Sequence, residues 1–390
     1  MGEFRALWLA QVLSVGGDQL ARVALTILVF GRTHSALLAA LTFAASVVPT
    51  FVGAISLSGL ADRFPRRAVM IACDLVRAAL VVVMALPGIP LAVLVCLLFA
   101  VTAVGAPFTS ARAALYPDIL AGDRFVLGNA ITLTTSQVVQ VAGFAAGGVA
   151  VALLGTRNCL LVDAATFLAS ALLVVTLVRA RPAAARGPGA ASTTLASVRS
   201  GLRLVFRDPR LRLPMLLGWL AAFYMVPEGI AVPLARDLGG GDTWVGFILA
   251  AEAFGYAAGA IVFSRFVPPA RRLAVMAPLA AATCGVLVLF AAGPALPAAL
   301  VILAVSGVFG CYQVAASAAF VTAAPPAQRA QAFGVAEAGI ALGQGGAMVI
   351  AGAVAQAVTP SAVIAASGAL GVLAAGLLAA AHRGRQGRAG

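Results

Sequence analysis

Long apolar runs, broken at intervals by Pro, Gly or short arginine-rich segments, set the rhythm of this chain. A helix needs roughly 20 largely apolar residues to cross the hydrocarbon core of a bilayer, and a spanning segment must satisfy its own backbone polar groups. Twelve such runs are read, at about 7–30, 36–58, 68–86, 91–110, 127–153, 158–178, 213–234, 243–263, 272–291, 296–318, 331–356 and 360–381. Neighbouring runs abut across Pro87-Gly88-Ile89-Pro90 and Ala292-Gly293-Pro294-Ala295-Leu296-Pro297, where tight turns are easier to place than continued helix; ten or eleven spans is the alternative count. The short alternating segments of an outer-membrane barrel are absent.

Composition agrees with this pattern. Hydrophobic residues make up 62% of the 390, charged ones only 10%, and the mean hydropathy is +1.05, too little polar surface for an ordinary soluble protein. Every formally basic side chain is an arginine. Placing both termini in the cytoplasm puts Arg5, Arg63, Arg66, Arg67, Arg112, Arg124, the central-loop arginines, Arg265, Arg271, Arg272, Arg329, Arg383, Arg385 and Arg388 on that side, and leaves Arg32, Arg157 and Arg236 opposite. The net charge of +13 is then mostly membrane topology and attraction to anionic lipid headgroups. Nucleic acid is not an expected partner, because the arginines are scattered over short loops.

The longest polar break divides the chain into an N-terminal six-helix bundle (1–178), a cytoplasmic linker (179–212) and a C-terminal six-helix bundle with a short tail (213–390). In the linker, Leu195, Val198, Leu202 and Val205 recur at helical spacing beside Arg199, Arg203 and Arg207, which predicts a helix lying on the membrane surface. An internal echo supports two halves: Asp62-Arg63-Phe64-Pro65-Arg66-Arg67 follows the second run, and Ser264-Arg265-Phe266-Val267-Pro268-Pro269-Ala270-Arg271-Arg272 follows the eighth. The expected fold is an all-α polytopic membrane protein, twelve transmembrane helices in two pseudo-symmetric six-helix bundles. Such halves facing a central cavity permit alternating access.

Gly59-Leu60-Ala61-Asp62-Arg63-Phe64-Pro65-Arg66-Arg67 resembles the signature loop between the second and third helices of the major facilitator superfamily, with Pro65 where that pattern normally has Gly. Ala111-Arg112-Ala113-Ala114-Leu115-Tyr116-Pro117-Asp118, followed by Asn129-Ala130, is similar to the stretch joining helices four and five in the bacterial drug-efflux and siderophore-exporter branch. In those exporters a Gly-Pro pair followed by Gly-Gly marks the antiporter helix; here Phe144 stands at the proline position of Gly143-Phe144-Ala145-Ala146-Gly147-Gly148. The resemblance implies a secondary transporter in a bacterial inner membrane. Asp62 at a cytoplasmic helix end is suited to accept hydrogen bonds from helix termini and to pair with Arg112. The expected conformational latch comprises Gly59, Asp62, Arg63, Arg66, Arg67, Asp74, Arg77 and Arg112.

Charges inside apolar runs are costly and point to function. Asp18 and Arg22 lie one turn apart on the first helix, and Asp74 and Arg77 share a face of the third. Glu228 has no arginine three or four residues away, and Pro227 and Pro233 beside it predict a broken helix that opens polar backbone to a cavity. Asp18, Arg22, Glu228, Glu252 and Glu337 are the candidates for proton coupling or substrate binding, and Gln137, Gln140, Gln313 and Gln344 for polar cavity lining. Asp163 is expected near the start of the sixth run, paired with Arg157 at the membrane interface. Glycines such as Gly255, Gly259, Gly339 and Gly352 offer close helix contacts.

No enzyme signature emerges. His34 and His382 are the only histidines, the five cysteines stand singly without Cys-x-x-Cys spacing, and the lack of lysine rules out a Walker-type phosphate loop. No metal or cofactor is expected. The leading reading is proton-coupled export of an amphipathic small molecule by alternating access. Export of a siderophore, secondary metabolite or lipid-like compound is the alternative; net-anionic cargo fits better if Arg22 and Arg77 face the cavity. Import and a non-transporting scaffold are the remaining readings. Expected partners are substrate, protons and membrane lipids, with a monomer as the functional unit.

Overall fold

The structure is a computed structural model that describes residues 2–49, 53, 63–120, 122–181, 195–325 and 328–386. Apart from one 3₁₀ segment, Val288–Ala292, the regular elements described are all α-helices. They are α1 (Gly2–Thr33), α2 (Ala36–Ala44), α3 (Arg66–Met84), α4 (Leu91–Ile119), α5 (Asp123–Leu177), α6 (Leu195–Arg207), α7 (Pro209–Trp219), α8 (Ala221–Tyr224), α9 (Val226–Gly229), α10 (Ala231–Asp237), α11 (Asp242–Phe266), α12 (Pro269–Leu287), α13 (Leu296–Gly310), α14 (Tyr312–Ala323), α15 (Arg329–Val354) and α16 (Pro360–Gln386).

Among the described residues, eight helices are long and apolar enough to cross a membrane, or nine if the bent pair 210–229 and 231–237 is one span. The chain is a polytopic membrane protein. Large apolar side chains face outward, among them Leu153 at 78% exposure, Leu377 at 72% and Ile261 at 67%; these suit hydrocarbon and would be a liability in water.

Local chemistry explains the helix boundaries. Leu91 follows Pro90 in extended backbone, and Pro269 follows Pro268 in the same way. Asp208 caps α7, its carboxylate accepting from the Arg210 N–H at 2.8 Å with Pro209 at the first turn. The expected runs 127–153 and 158–178 are two helices, both within α5, that part at Gly155, whose φ of 78° and ψ of 160° break the helical path. The expected run 213–234 is bent. Its helical path is continuous over 210–229, with Pro214 inside α7, and bends by 49° at Ile230, between Pro227 and Pro233, where α9 gives way to α10. The run 296–318 falls within one continuous helix over 296–323, in which Cys311, between α13 and α14, keeps right-handed helical backbone.

The chain divides into two compact units. The first comprises Met1–His34, Ala45–Ala190 and Gly241–Phe247, and the second Ser35–Ala44, Ala191–Gly240 and Ile248–Gly390. In the first, α1, α3, α4 and α5 build two apolar layers. One contains Leu7, Ala10, Met70, Cys73, Phe108 and Val174, and the other Ala21, Leu25, Ala78, Val101, Leu160 and Phe167. The residues between them on α1 and α3 include Ser14, Asp18, Asp74 and Arg77, so the charged level lies between apolar floors.

In the second unit α6, the linker helix expected from its amphipathic spacing, buries Val205 with Leu211, Met215, Phe320 and Val335 while Arg203 and Arg207 stay exposed. The helices α11 and α13 approach through glycine. A Cβ on Gly255 would meet the Ala304 carbonyl, and one on Gly259 the Val308 backbone. With little hydrophobic drive between helices in lipid, such close backbone contact supplies much of the packing.

Candidate functional site

The first unit holds a cavity of about 300 Å³, lined by Ser14, Asp18 and Arg22 of α1, Arg77 of α3, Arg112 of α4 and Asp163 of α5, among other residues. Its organising group is the Arg77 guanidinium, 4% exposed. Nη2 donates to both carboxylate oxygens of Asp18, at 2.5 and 2.7 Å, and Nη1 donates to Ser14 Oγ at 3.0 Å. The Phe167 ring lies 4.0 Å from the guanidinium carbon. Gly105 of α4 borders the same group, where a Cβ would make ordinary contact at 3.6 Å from that carbon.

The partners differ from those the spacing predicts. Asp18 reaches across to Arg77 on α3 rather than along its own helix to Arg22, which lines the same cavity and donates to the Ser46 carbonyl at 3.4 Å. Asp74 is fully buried and accepts from Ser170 Oγ at 2.6 Å, so its strongest contact is with α5 and not with Arg77. The interfacial pairing expected for Asp163 does not form. Asp163 is 0% exposed and turned towards the Asp18–Arg77 pair, while Arg157 is exposed. The helix that follows Gly155 turns Asp163 onto the face packed against α1, where Gly17 leaves room for its carboxylate.

Of the residues expected at the cytoplasmic latch, Gly59 and Asp62 lie outside the described residues. Arg66 pairs with Asp118 at 2.6 Å and donates to the Ala114 carbonyl at 2.8 Å, joining the start of α3 to the end of α4. Arg67 donates to the Val175 carbonyl of α5. Arg63 is exposed. Arg112 lines the cavity with its guanidinium 6.0 Å from the Phe108 ring, and it forms no ion pair among the described residues.

The second unit carries a separate polar group. Glu252, on α11, is 2% exposed and neither carboxylate oxygen has a hydrogen-bond partner among the described residues. The charge that bears on it is that of Glu228 on the short helix α9. Gln313 donates from Nε2 to the Gly218 carbonyl at 3.0 Å and to the Tyr224 hydroxyl at 2.9 Å, stitching α14 to α7 and α8. Glu337 is exposed on α15, and Gln137, Gln140 and Gln344 are half-buried. Residues that hydropathy alone passes over include Gln11 and Tyr116, which meet Ser136 and Thr132 in a buried network. Their helical spacing to Ser14 and Arg112 was the available signal. No metal-binding group of His, Cys, Asp or Glu occurs among the described residues.

Comparisons with known proteins bear on this architecture. The family model described as Major Facilitator Superfamily matches residues 7–232 and 228–388. Multidrug efflux pump Tap of Mycolicibacterium fortuitum is 28% identical over 350 residues, covering 86% of this chain and 84% of that one. Among solved structures, a POT family transporter in complex with 5-aminolevulinic acid superposes with a TM-score of 0.76 at 11% identity, covering 97% of this chain and 95% of that one. The nucleoside transporter NupG gives 0.75 at 15% identity, covering 97% and 99%, and a bacterial homologue of the lysosomal transporter Spinster gives 0.73 at 16%, covering 97% and 96%. At these identities the structures establish the fold alone. Matched along nearly its whole length, the chain belongs to the Major Facilitator Superfamily, as a non-catalytic secondary transporter that moves small molecules across a membrane.

Proposed function

We propose that the chain exports a small amphipathic molecule bearing an acidic group, closer to an endogenous metabolite than to a bulky apolar drug, in exchange for protons. The observation that carries this reading is the cavity of the first unit, where Arg22, Arg77 and Arg112 share a wall with apolar residues such as Val81, Met84, Leu98 and Phe108. Arg77 is already engaged by Asp18, and Arg112 stands without an ion-pair partner among the described residues. A guanidinium in that position suits a carboxylate or phosphate, and the apolar wall suits the rest of an amphipath. The outward direction is supported by the 28% identity to an efflux pump.

In the proposed cycle, twelve spans form two six-helix halves in a bacterial inner membrane, with both termini cytoplasmic and one chain as the working unit. Arg66 with Asp118, and Arg67 with the end of α5, act as a latch that fixes the cytoplasmic ends of three helices in one state. A second reading, a cationic amphipath, is favoured by the Glu228 and Glu252 carboxylates.

Inverted membrane vesicles separate the two. Under an imposed pH gradient, uptake of carboxylate-bearing, cationic and neutral fluorescent amphipaths is compared for the native chain, Arg112→Gln and Glu252→Gln. The expected result is uptake of the carboxylate-bearing probe with its KM raised tenfold or more by Arg112→Gln. Uptake of the cationic probe alone, abolished by Glu252→Gln, would transfer the substrate site to the second unit.

A further inference from the structure

The Asp18–Arg77 pair does not exhaust the charge in its neighbourhood. Asp163 is 0% exposed, its Oδ1 lies 3.5 Å from Thr166 Oγ1, and its Oδ2 has no hydrogen-bond partner among the described residues. Asp74 is also fully buried and has one unpartnered oxygen, Oδ1. The groups facing Asp163 are Asp18 from α1 and Arg77 from α3, while Asp74 bears on Arg77 from α3 itself. Three carboxylates therefore surround one guanidinium. All ionised, they would leave two negative charges beyond what Arg77 itself balances, with Arg22 and Arg112 the other cations lining the same cavity, and a single bound proton removes one of them.

The site is built for Asp163. Gly17, next to Asp18, lacks the Cβ that would collide with Asp163 Oδ1 and Thr166 Oγ1, so α1 and α5 touch at the carboxylate. Asp163 also stands among the residues that line the cavity, the side from which a proton would reach it. Asp18, by contrast, keeps 32% of its side chain exposed and has both oxygens on Arg77.

We propose that Asp163 is the proton-exchanging group of the first unit, and that Arg77 is shared between it and Asp18. With a proton on Asp163 Oδ2, Asp18 is the one carboxylate among the described residues that Arg77 donates to, the arrangement seen here. Loss of that proton to the cavity turns Asp163 into a second claimant for the same guanidinium. Arg77 then shifts part of its hydrogen bonding from Asp18 to Asp163, and Asp18 turns towards the cavity. No covalent bond other than the O–H changes, and Arg77 stays protonated throughout. The proposal deepens the proton-exchange reading above and rests on it for its role in transport, but proton binding at Asp163 can be tested without any substrate.

The test is pH-difference infrared spectroscopy on the purified full chain in lipid nanodiscs, following the carbonyl stretch of protonated carboxylic acids. The native chain is expected to show a band that appears and disappears reversibly with pH. Asp163→Asn should abolish it, while Glu228→Gln and Glu252→Gln should leave it in place. Thr166→Val, which removes the neighbouring hydroxyl and keeps the carboxylate, should shift its frequency and midpoint, so the assignment survives if Asp163→Asn fails to fold. A band unaffected by both variants, or no titrating band in the native chain, would overturn the proposal. Since the assay needs no cargo, a positive band with inactive vesicles would count against the export reading alone.

Discussion

Replacing Arg77 by Gln should be the most damaging single change in the first unit, and the structure says by how much. The guanidinium is 4% exposed, makes two hydrogen bonds to Asp18 and one to Ser14, and stacks on Phe167. Removing one partner of a buried ion pair costs about 3–5 kcal/mol, because the other charge is left uncompensated. Here three carboxylates lose their shared cation. Asp18→Asn is a milder change: its side chain is 32% exposed, so water replaces part of what is lost, and Arg77 keeps Asp74 and Asp163 nearby. About 1–2 kcal/mol is expected for that variant. Cys73 and Cys159, 7% and 0% exposed, sit on α3 and α5 beside the cluster and report local opening through their rate of alkylation, once Cys96, Cys284 and Cys311 are replaced by alanine. Arg77→Gln should accelerate alkylation on the order of 10²–10³-fold, since each 1.4 kcal/mol is a factor of ten. The double variant should label more slowly than the product of the two single effects requires, by a coupling of about 1 kcal/mol or more. Acceleration below tenfold for Arg77→Gln, or a larger effect from Asp18→Asn, would refute the shared-cation reasoning.

Three further outcomes are expected. Gly255→Ala should destabilise the second unit by about 1–3 kcal/mol because its methyl would meet the Ala304 carbonyl, whereas Gly334→Ala, with open space at the same atom, should be neutral or stabilise by up to about 1 kcal/mol; thermal unfolding in detergent distinguishes them. Gln313→Leu leaves the Gly218 carbonyl and the Tyr224 hydroxyl without their donor and should cost about 1–3 kcal/mol in the same assay. Arg66→Ala breaks an ion pair whose side chains are 23% and 42% exposed, so stability should change by about 0–1 kcal/mol, while a latch role requires a severalfold change in transport rate.

Much of the helical architecture could be read from hydropathy because lipid imposes a length on every span. The face of α3 bearing Met70, Cys73, Asp74, Arg77, Val81 and Met84 follows directly from 3.6-residue spacing. The bend between Pro227 and Pro233 was legible for the same reason, since proline removes a donor at a known place. Pairing was less accessible. Asp18 has an arginine one turn away in Arg22, and only the packing of α1 against α3 brings Arg77, 59 residues distant, to it. Asp163 was misplaced because five residues from the start of a run reads as interface, while its burial is set by the packing of the helix after Gly155 against α1 and by the absence of a side chain at Gly17. Glu252 shows the opposite limit: its burial depends on the glycine contacts between α11 and α13, a property of two helices together.

The central claim is coupled exchange of a small molecule for protons. Its most direct test is proton movement in sealed proteoliposomes carrying the native chain, with an outward gradient of a carboxylate-bearing amphipath and no other driving force. The expected result is proton flux opposite to the substrate, dependent on the substrate gradient and strongly reduced in Asp163→Asn, with substrate counterflow retained. Robust substrate flux without any accompanying proton movement would contradict it.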